Sequence, residues 1–204
     1  EPLDRLESSL QSIKHQAELE YVTISTSTAF SYYWLMPRVP DLRAQHPDID
    51  LRMLNSDRDP ELAQDDISLG IRIGKGGWSA YDHVKIYDEV ILPVASHTFV
   101  EEHGVPETLD ALAQQRLIHL EEPIRERPTW SQWFNHHGQD ATTLPRGLRL
   151  NDYALVLQAA VSGQGFSFGW EHVVRSMIDS GLLVGLSDWR WNTGNSVFLI
   201  WPND

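Results

Sequence analysis

An α/β fold of two lobes joined by extended crossover strands is predicted for this chain of 204 residues. Strand-like and helix-like stretches alternate along it. The alternation breaks near residue 95, and a last strand returns after residue 187. Such a layout places a cleft between lobes, facing strand C-termini and helix N-termini, where small anions bind.

The elements follow in order. Leu3, Leu6, Leu10, Ile13 and Ala17 repeat at intervals of three and four, so residues 3–19 read as a helix with a narrow apolar seam. That seam suits a coiled coil or a helix on another surface, and also a terminal helix packed on its own domain. Residues 21–26 form the first strand. A helical region over 28–45 follows, with Pro37 opening a second helical piece where its missing N–H costs nothing. Strands over 49–54 and 69–73 flank a short helix or turn at 60–65, and the glycine-rich 75–79 is a loop.

Residues 84–95 read as extended but interrupted by Asp88-Glu89 and Pro93, a crossing segment more than a single strand. Helices are expected over 106–114, 129–136, 153–161 and 171–180, and strands over 116–120, 148–151, 165–168, 182–186 and 197–201. Asp152 is placed to cap the helix from Tyr153, which Gly163 and Gly165 end.

Composition narrows the chemistry. Without cysteine there is no disulfide, thiolate zinc site or thiol nucleophile. No apolar run approaches the roughly 18 residues that span a bilayer, and Glu1-Pro-Leu-Asp is not a signal peptide. A net charge of -13 opposes the basic footprint that nucleic-acid binding requires. His136 and His137 are adjacent and cannot face one site from a helix, and His97 and His103 are too far apart for a one-turn pair. No His-Glu-x-x-His, Gly-x-Ser-x-Gly or phosphate-loop pattern occurs. Nothing assembles a reaction, so an enzyme is not expected, nor a cofactor or metal.

Binding residues are easier to nominate. Ser25-Thr26-Ser27-Thr28 sets four hydroxyls across the first strand–helix junction. Ser27 or Thr28 caps the helix, and the other hydroxyl, with free helix N–H groups, can hold a carboxylate or sulfate. Asp152 and Tyr153 occupy the analogous junction of the second lobe. Arg72 ends an apolar strand, where it pairs with an anionic ligand or with a protein carboxylate. Among eight tryptophans, Trp78 lies in a loop and Trp170 between a strand and a helix, positions from which aromatics can line a pocket or cage a quaternary ammonium. Trp34 and Trp189 are core or hinge candidates, and Trp130 and Trp133 share one helical face.

The segments Phe30…Trp34-Leu35-Met36-Pro37-Arg38-Val39-Pro40…His46-Pro47, Leu69-Gly70-Ile71-Arg72-Ile73-Gly74…Gly77-Trp78, Trp130-x-x-Trp133, Ala159 to Gly165 and Gly181-Leu182-Leu183-Val184 recur in order. In that order they resemble the effector-binding domain of a LysR-type transcriptional regulator, in the branch of the glycine-cleavage and β-lactamase activators. They cover most of residues 21–186.

The resemblance implies two Rossmann-like lobes similar to type 2 periplasmic binding proteins. Residues 21–95 with 188–204 would form lobe I and 96–187 lobe II. Residues 1–20 would end a linker helix whose winged helix-turn-helix is absent from this chain. It also implies a cytoplasmic homodimer or tetramer that reaches DNA through that missing part and senses a small effector. The effector contacts implied are Ser27, Thr28, Arg72, Trp78, Asp152 and Tyr153; Ser31, Tyr33 and Trp170 complete the candidate set from their own positions in the chain. A quaternary amine such as choline or betaine, an amino acid or an organic anion are the effector classes considered. A free-standing solute-binding protein would share the same two-lobe logic. Two departures from the family pattern bear on this: Ser68 replaces the usual Asp, and Ala29 stands where relatives often have Ser or Thr.

Overall fold

The computed structural model describes residues 21–56, 62, 66–140, 144 and 147–203. The expectations for residues 3–19 and 60–65 therefore lie outside, or almost outside, the described residues. The chain divides into two compact units, Glu1–Glu89 with Gly194–Asp204, and Val90–Thr193.

In the first unit, β1 (Val22–Thr26) lies between two parallel neighbours, β2 (Leu51–Asn55) and β3 (Leu69–Gly74). Every residue of β1 is buried, as expected for a parallel strand covered on both faces. One face packs Val22, Ile24 and Leu69 against Phe30, Trp34, Leu35 and Leu42; on the other, Ile67, Phe198 and Ile200 gather with Leu62. A long last strand, β9 (Trp191–Pro202), pairs antiparallel with β3 through Gly70 to Gly74. Ser68 has a local task in place of the usual acid: its Oγ accepts from Thr23 N at 3.1 Å.

The first helical region is not one regular helix. A π-turn, Phe30–Leu35, runs into a 3-10 turn, Met36–Arg38, and then an α-helix, Val39–Gln45. Two prolines explain this. Pro37 and Pro40 bring no N–H, so neither can close an α-type bond to the carbonyl four residues back. Pro37 thus opens only the 3-10 turn, while Pro40 sits at the start of the α-helix. Arg38 compensates locally. Its Nη1 donates to Trp34 O at 2.7 Å, and its guanidinium lies 4.4 Å from the Trp34 ring centroid.

β4 (Tyr81–Ser96) is a single strand of 16 residues, where an interrupted crossing segment was expected. Asp88-Glu89 and Pro93 do not break it. Pro93 faces Phe168 in an antiparallel pair, and its carbonyl accepts from Leu186 N at 2.9 Å. The boundaries between the units fall inside β4 and β9. Residues 90–95 and 188–193 therefore belong with the second unit rather than the first, because Ile91 to Ser96 pair with β7 (Ser167–Trp170) and β8 (Leu183–Gly185).

The second unit also holds the short parallel pair β5 (His119–Leu120) and β6 (Arg149–Leu150), with a parallel bridge from Leu117 to Phe166. Its helices are His97–His103, Leu109–Ala113, Trp130–His136, Tyr153–Val161 and Glu171–Asp179. The helix His97–His103 was missed from sequence, although Ser96 caps it through Phe99 N and Gly104 ends it at φ 80°. Trp130 and Trp133 are both buried, and the indole N–H of Trp130 donates to Ile118 O at 2.9 Å. They are core residues, as is Trp34.

Candidate functional site

The C-terminal ends of the parallel strands in the first unit gather most of the nominated residues. Thr26 pairs with Asn55 across β1 and β2, and Ser25 with Gly70 across β1 and β3. Arg72 lies two residues beyond that second pair. Ser27 caps the helical region, its Oγ accepting from Phe30 N at 3.3 Å, which leaves Thr28 in the first turn and partly buried. Ser31 is buried and donates through Oγ to Asn55 Oδ1 at 2.6 Å. Tyr33 is partly buried, its ring 4.8 Å from the more exposed Tyr32.

Thr26 was not nominated individually, yet it is the most informative group at this rim. It is 3% exposed, and its Oγ1 has no hydrogen-bond partner among the described residues. A buried hydroxyl without a partner costs free energy, so such groups often mark a ligand or water position. Asn55 was missed as well. Only the pairing of β1 with β2 brings it to Ser31.

Arg72 and Trp78 come together as one cluster. The Arg72 guanidinium lies 4.7 Å from the Trp78 ring centroid. Phe198 and His83 meet the same indole edge-to-face at 5.3 and 5.6 Å. Gly74 makes this possible, since a Cβ there would stand 3.0 Å from Trp78 Cζ2. The preceding loop turns through Gly76 and Gly77, at φ 79° and 76°. The cation-binding position on Trp78 is therefore held by the protein's own Arg72.

In the second unit, Asp152 caps the helix Tyr153–Val161 through Leu155 N at 3.1 Å. The Tyr153 hydroxyl donates to Phe168 O at 3.2 Å and accepts from Trp170 N at 2.9 Å, tying the helix start to the end of β7. Trp170 is 4% exposed, its ring 4.6 Å from that of Tyr153, so it supports Tyr153 from the core and presents little surface. Nearby, the nearly buried Glu122 carboxylate pairs with Arg127 at 2.8 Å and Arg125 at 3.5 Å, and Arg127 reaches over the Trp170 ring. Burial pushes the His172 imidazole down to about 3, so it is neutral at ordinary pH.

Among the described residues no group of three or more His, Cys, Asp and Glu could hold a metal ion, and no helix is long and apolar enough to cross a membrane. The arrangement offers hydroxyls, amides and a guanidinium for a small polar ligand.

The LysR substrate binding domain family model matches residues 15–204. The glycine cleavage system transcriptional activator of Escherichia coli is 30% identical over 163 residues, which are 80% of this chain and 52% of that protein. The transcriptional activator AmpR of Rhodobacter capsulatus is 24% identical over 98% of this chain and 66% of its own length. The chain thus spans about half the length of the glycine cleavage activators it matches. Two solved structures share its fold. The AmpR effector domain of Pseudomonas aeruginosa matches with TM-score 0.72 and 21% identity, covering 90% of this chain and 86% of that one. The regulatory domain of CrgA from Neisseria meningitidis matches with TM-score 0.74 and 18% identity, covering 90% and 89%. Their architecture is related to that of type 2 periplasmic binding proteins. The transcriptional regulators DsdC and PerR of Escherichia coli appear among the relatives as well, so no single branch stands apart. The chain belongs to the LysR substrate binding domain family and is the regulatory, effector-binding domain of a LysR-type transcriptional regulator.

Proposed function

We propose that this domain senses a small carboxylate-bearing effector, held at the strand ends of the first unit. Thr28 and the helix-start amides would take the carboxylate, with Ser27, Ser31 and Tyr33 around them. Arg72 would supply the charge and Trp78 would hold Arg72; within the second unit, Asp152 and Tyr153, backed by Trp170, are the candidate effector contacts. The single observation that carries this reading is the buried Thr26 hydroxyl without a partner among the described residues, at a rim already lined by hydroxyls. The Arg72 contact with Trp78 argues against choline, because a quaternary ammonium would have to displace a resident cation. Betaine, amino acids and organic anions all offer a carboxylate.

In this reading the domain is part of a longer cytoplasmic regulator that reaches DNA through an N-terminal winged helix-turn-helix, on a linker helix that residues 1–20 would end. The branch of glycine-cleavage and β-lactamase activators is the assignment we favour, since several of the relatives carry those names. Effector binding would favour one arrangement of a homodimer or tetramer over another, which needs only about 1–3 kcal/mol of differential affinity.

Thr28→Val tests the site. Removing a hydrogen bond to a charged group costs about 1.5–3 kcal/mol, so calorimetric affinity for the effector should fall on the order of tenfold to a hundredfold. The melting temperature without ligand should stay unchanged. Undiminished affinity would remove the rim from consideration. A free-standing solute-binding protein would have the same rim; a secretion signal upstream in the reading frame would favour it, and a basic helix-turn-helix there would exclude it.

A further inference from the structure

The second unit contains a cavity of about 350 Å³ that none of the nominated contacts lines. This volume lies within the usual range for small-molecule sites, about 300–1,000 Å³. Its walls differ in chemistry from side to side. Leu120, Pro128 and Leu144, each partly exposed, form an apolar wall, backed from the core by Trp130 and Phe168, whose ring centroids are 4.1 Å apart. Facing the cavity at its exposed edge are Glu121 and Arg149, which form an ion pair in which each side chain is 55% exposed. His119, the register partner of Arg149, also lines it. Its Nε2 is shut off from solvent and has no hydrogen-bond partner among the described residues.

An exposed ion pair contributes little stability, so opening it costs little. A molecule carrying both an ammonium and a carboxylate can take it apart without leaving either charge alone. The carboxylate goes to Arg149 in the two-pronged manner that guanidinium allows, and the ammonium goes to Glu121. The apolar wall accommodates a hydrocarbon side chain. A simple anion would release Glu121 without a partner, and a simple amine would release Arg149.

We propose that this cavity is a second binding site, separate from the hydroxyl rim of the first unit, for an apolar α-amino acid. It does not depend on the effector reading given above, and its residues all lie within Val90–Thr193.

Isothermal titration of the 204-residue chain with L-leucine and L-phenylalanine tests it. Hydrocinnamate, which lacks the amine, and phenethylamine, which lacks the carboxylate, serve as controls. Both amino acids should bind at millimolar concentration or below, and both controls at least about tenfold more weakly, the loss of one charged hydrogen bond. Arg149→Met and Glu121→Gln should each weaken amino-acid binding by about the same factor, and Ser131→Trp, which fills the cavity from an exposed position on its lining, should abolish it. Thr28→Val should change nothing. No heat from either amino acid, controls that bind as well as the amino acids, or indifference to the Arg149 and Glu121 variants would overturn the proposal. So would binding lost in Thr28→Val but kept in Arg149→Met, which would place the amino acid at the rim.

Discussion

Trp34 is almost wholly buried, stacks on Phe30 at 4.7 Å between ring centroids, and donates its indole N–H to Tyr87 at 3.1 Å. Its packing should therefore outweigh its hydrogen bond. Trp34→Ala should cost about 3–5 kcal/mol, whereas Tyr87→Phe, which removes only the acceptor, should cost about 0.5–1.5 kcal/mol. Urea unfolding midpoints of the two variants would check the order. The importance of Trp34 was visible in the motif Trp34-Leu35-Met36-Pro37-Arg38, but its partner on β4 was not, because 53 residues separate them. The rim shows the same contrast. Ser27 and Thr28 were legible because capping is a local property of the chain. Asn55 and Phe198 reach the site only through strand pairing, which no local pattern encodes.

Elements were legible where hydrophobic period and cap agreed. The helix Tyr153–Val161 has both: Asp152 at its start, and buried Val156, Leu157, Ala159 and Ala160 along its length. Replacing the cap with Asp152→Ala should destabilise the chain by about 1 kcal/mol, lowering its thermal midpoint by a few degrees. A scan of the two proteins would check this. Two elements defeated the period. The π-turn Phe30–Leu35 arises from donors that prolines withhold further along the chain, so its own residues do not announce it. Turns of this kind recur at functional sites, and this one leads directly from the rim. β4 looked interrupted because Asp88, Glu89 and Pro93 are poor strand residues. Pairing restores it: Pro93 sits opposite Phe168, and the buried Glu89 accepts from Asn195 Nδ2 at 3.0 Å.

At the scale of the whole molecule, the alternation of strands and helices and the break near residue 95 indicated two units, and the acidic balance directed attention away from nucleic acid as this domain's ligand. The unit boundaries lie inside two long strands, where a sequence pattern has nothing to mark. Global stability should also carry the signature of one buried group. His172 stays neutral in the folded chain down to about 3, against 6.5 for an exposed imidazole. Between those values the unfolded state binds more protons, so stability is constant above pH about 6.5 and falls as pH drops toward 3. The slope is at most about 1.4 kcal/mol per pH unit for this one group. Unfolding free energies at pH 7 and pH 5 should converge in His172→Gln relative to the parent chain. An unchanged pH dependence would mean that His172 is not neutral in the fold.

The most direct measurement is a thermal-shift panel of amino acids, aromatic and aliphatic acids, betaine and choline, run in parallel on the parent chain, Thr28→Val and Arg149→Met. A carboxylate-bearing compound should raise the melting temperature of the parent and of Arg149→Met while failing on Thr28→Val, and choline should do nothing. A shift from choline alone, or a carboxylate response that survives both Thr28→Val and Arg149→Met intact, would contradict the assignment of the effector to the hydroxyl rim.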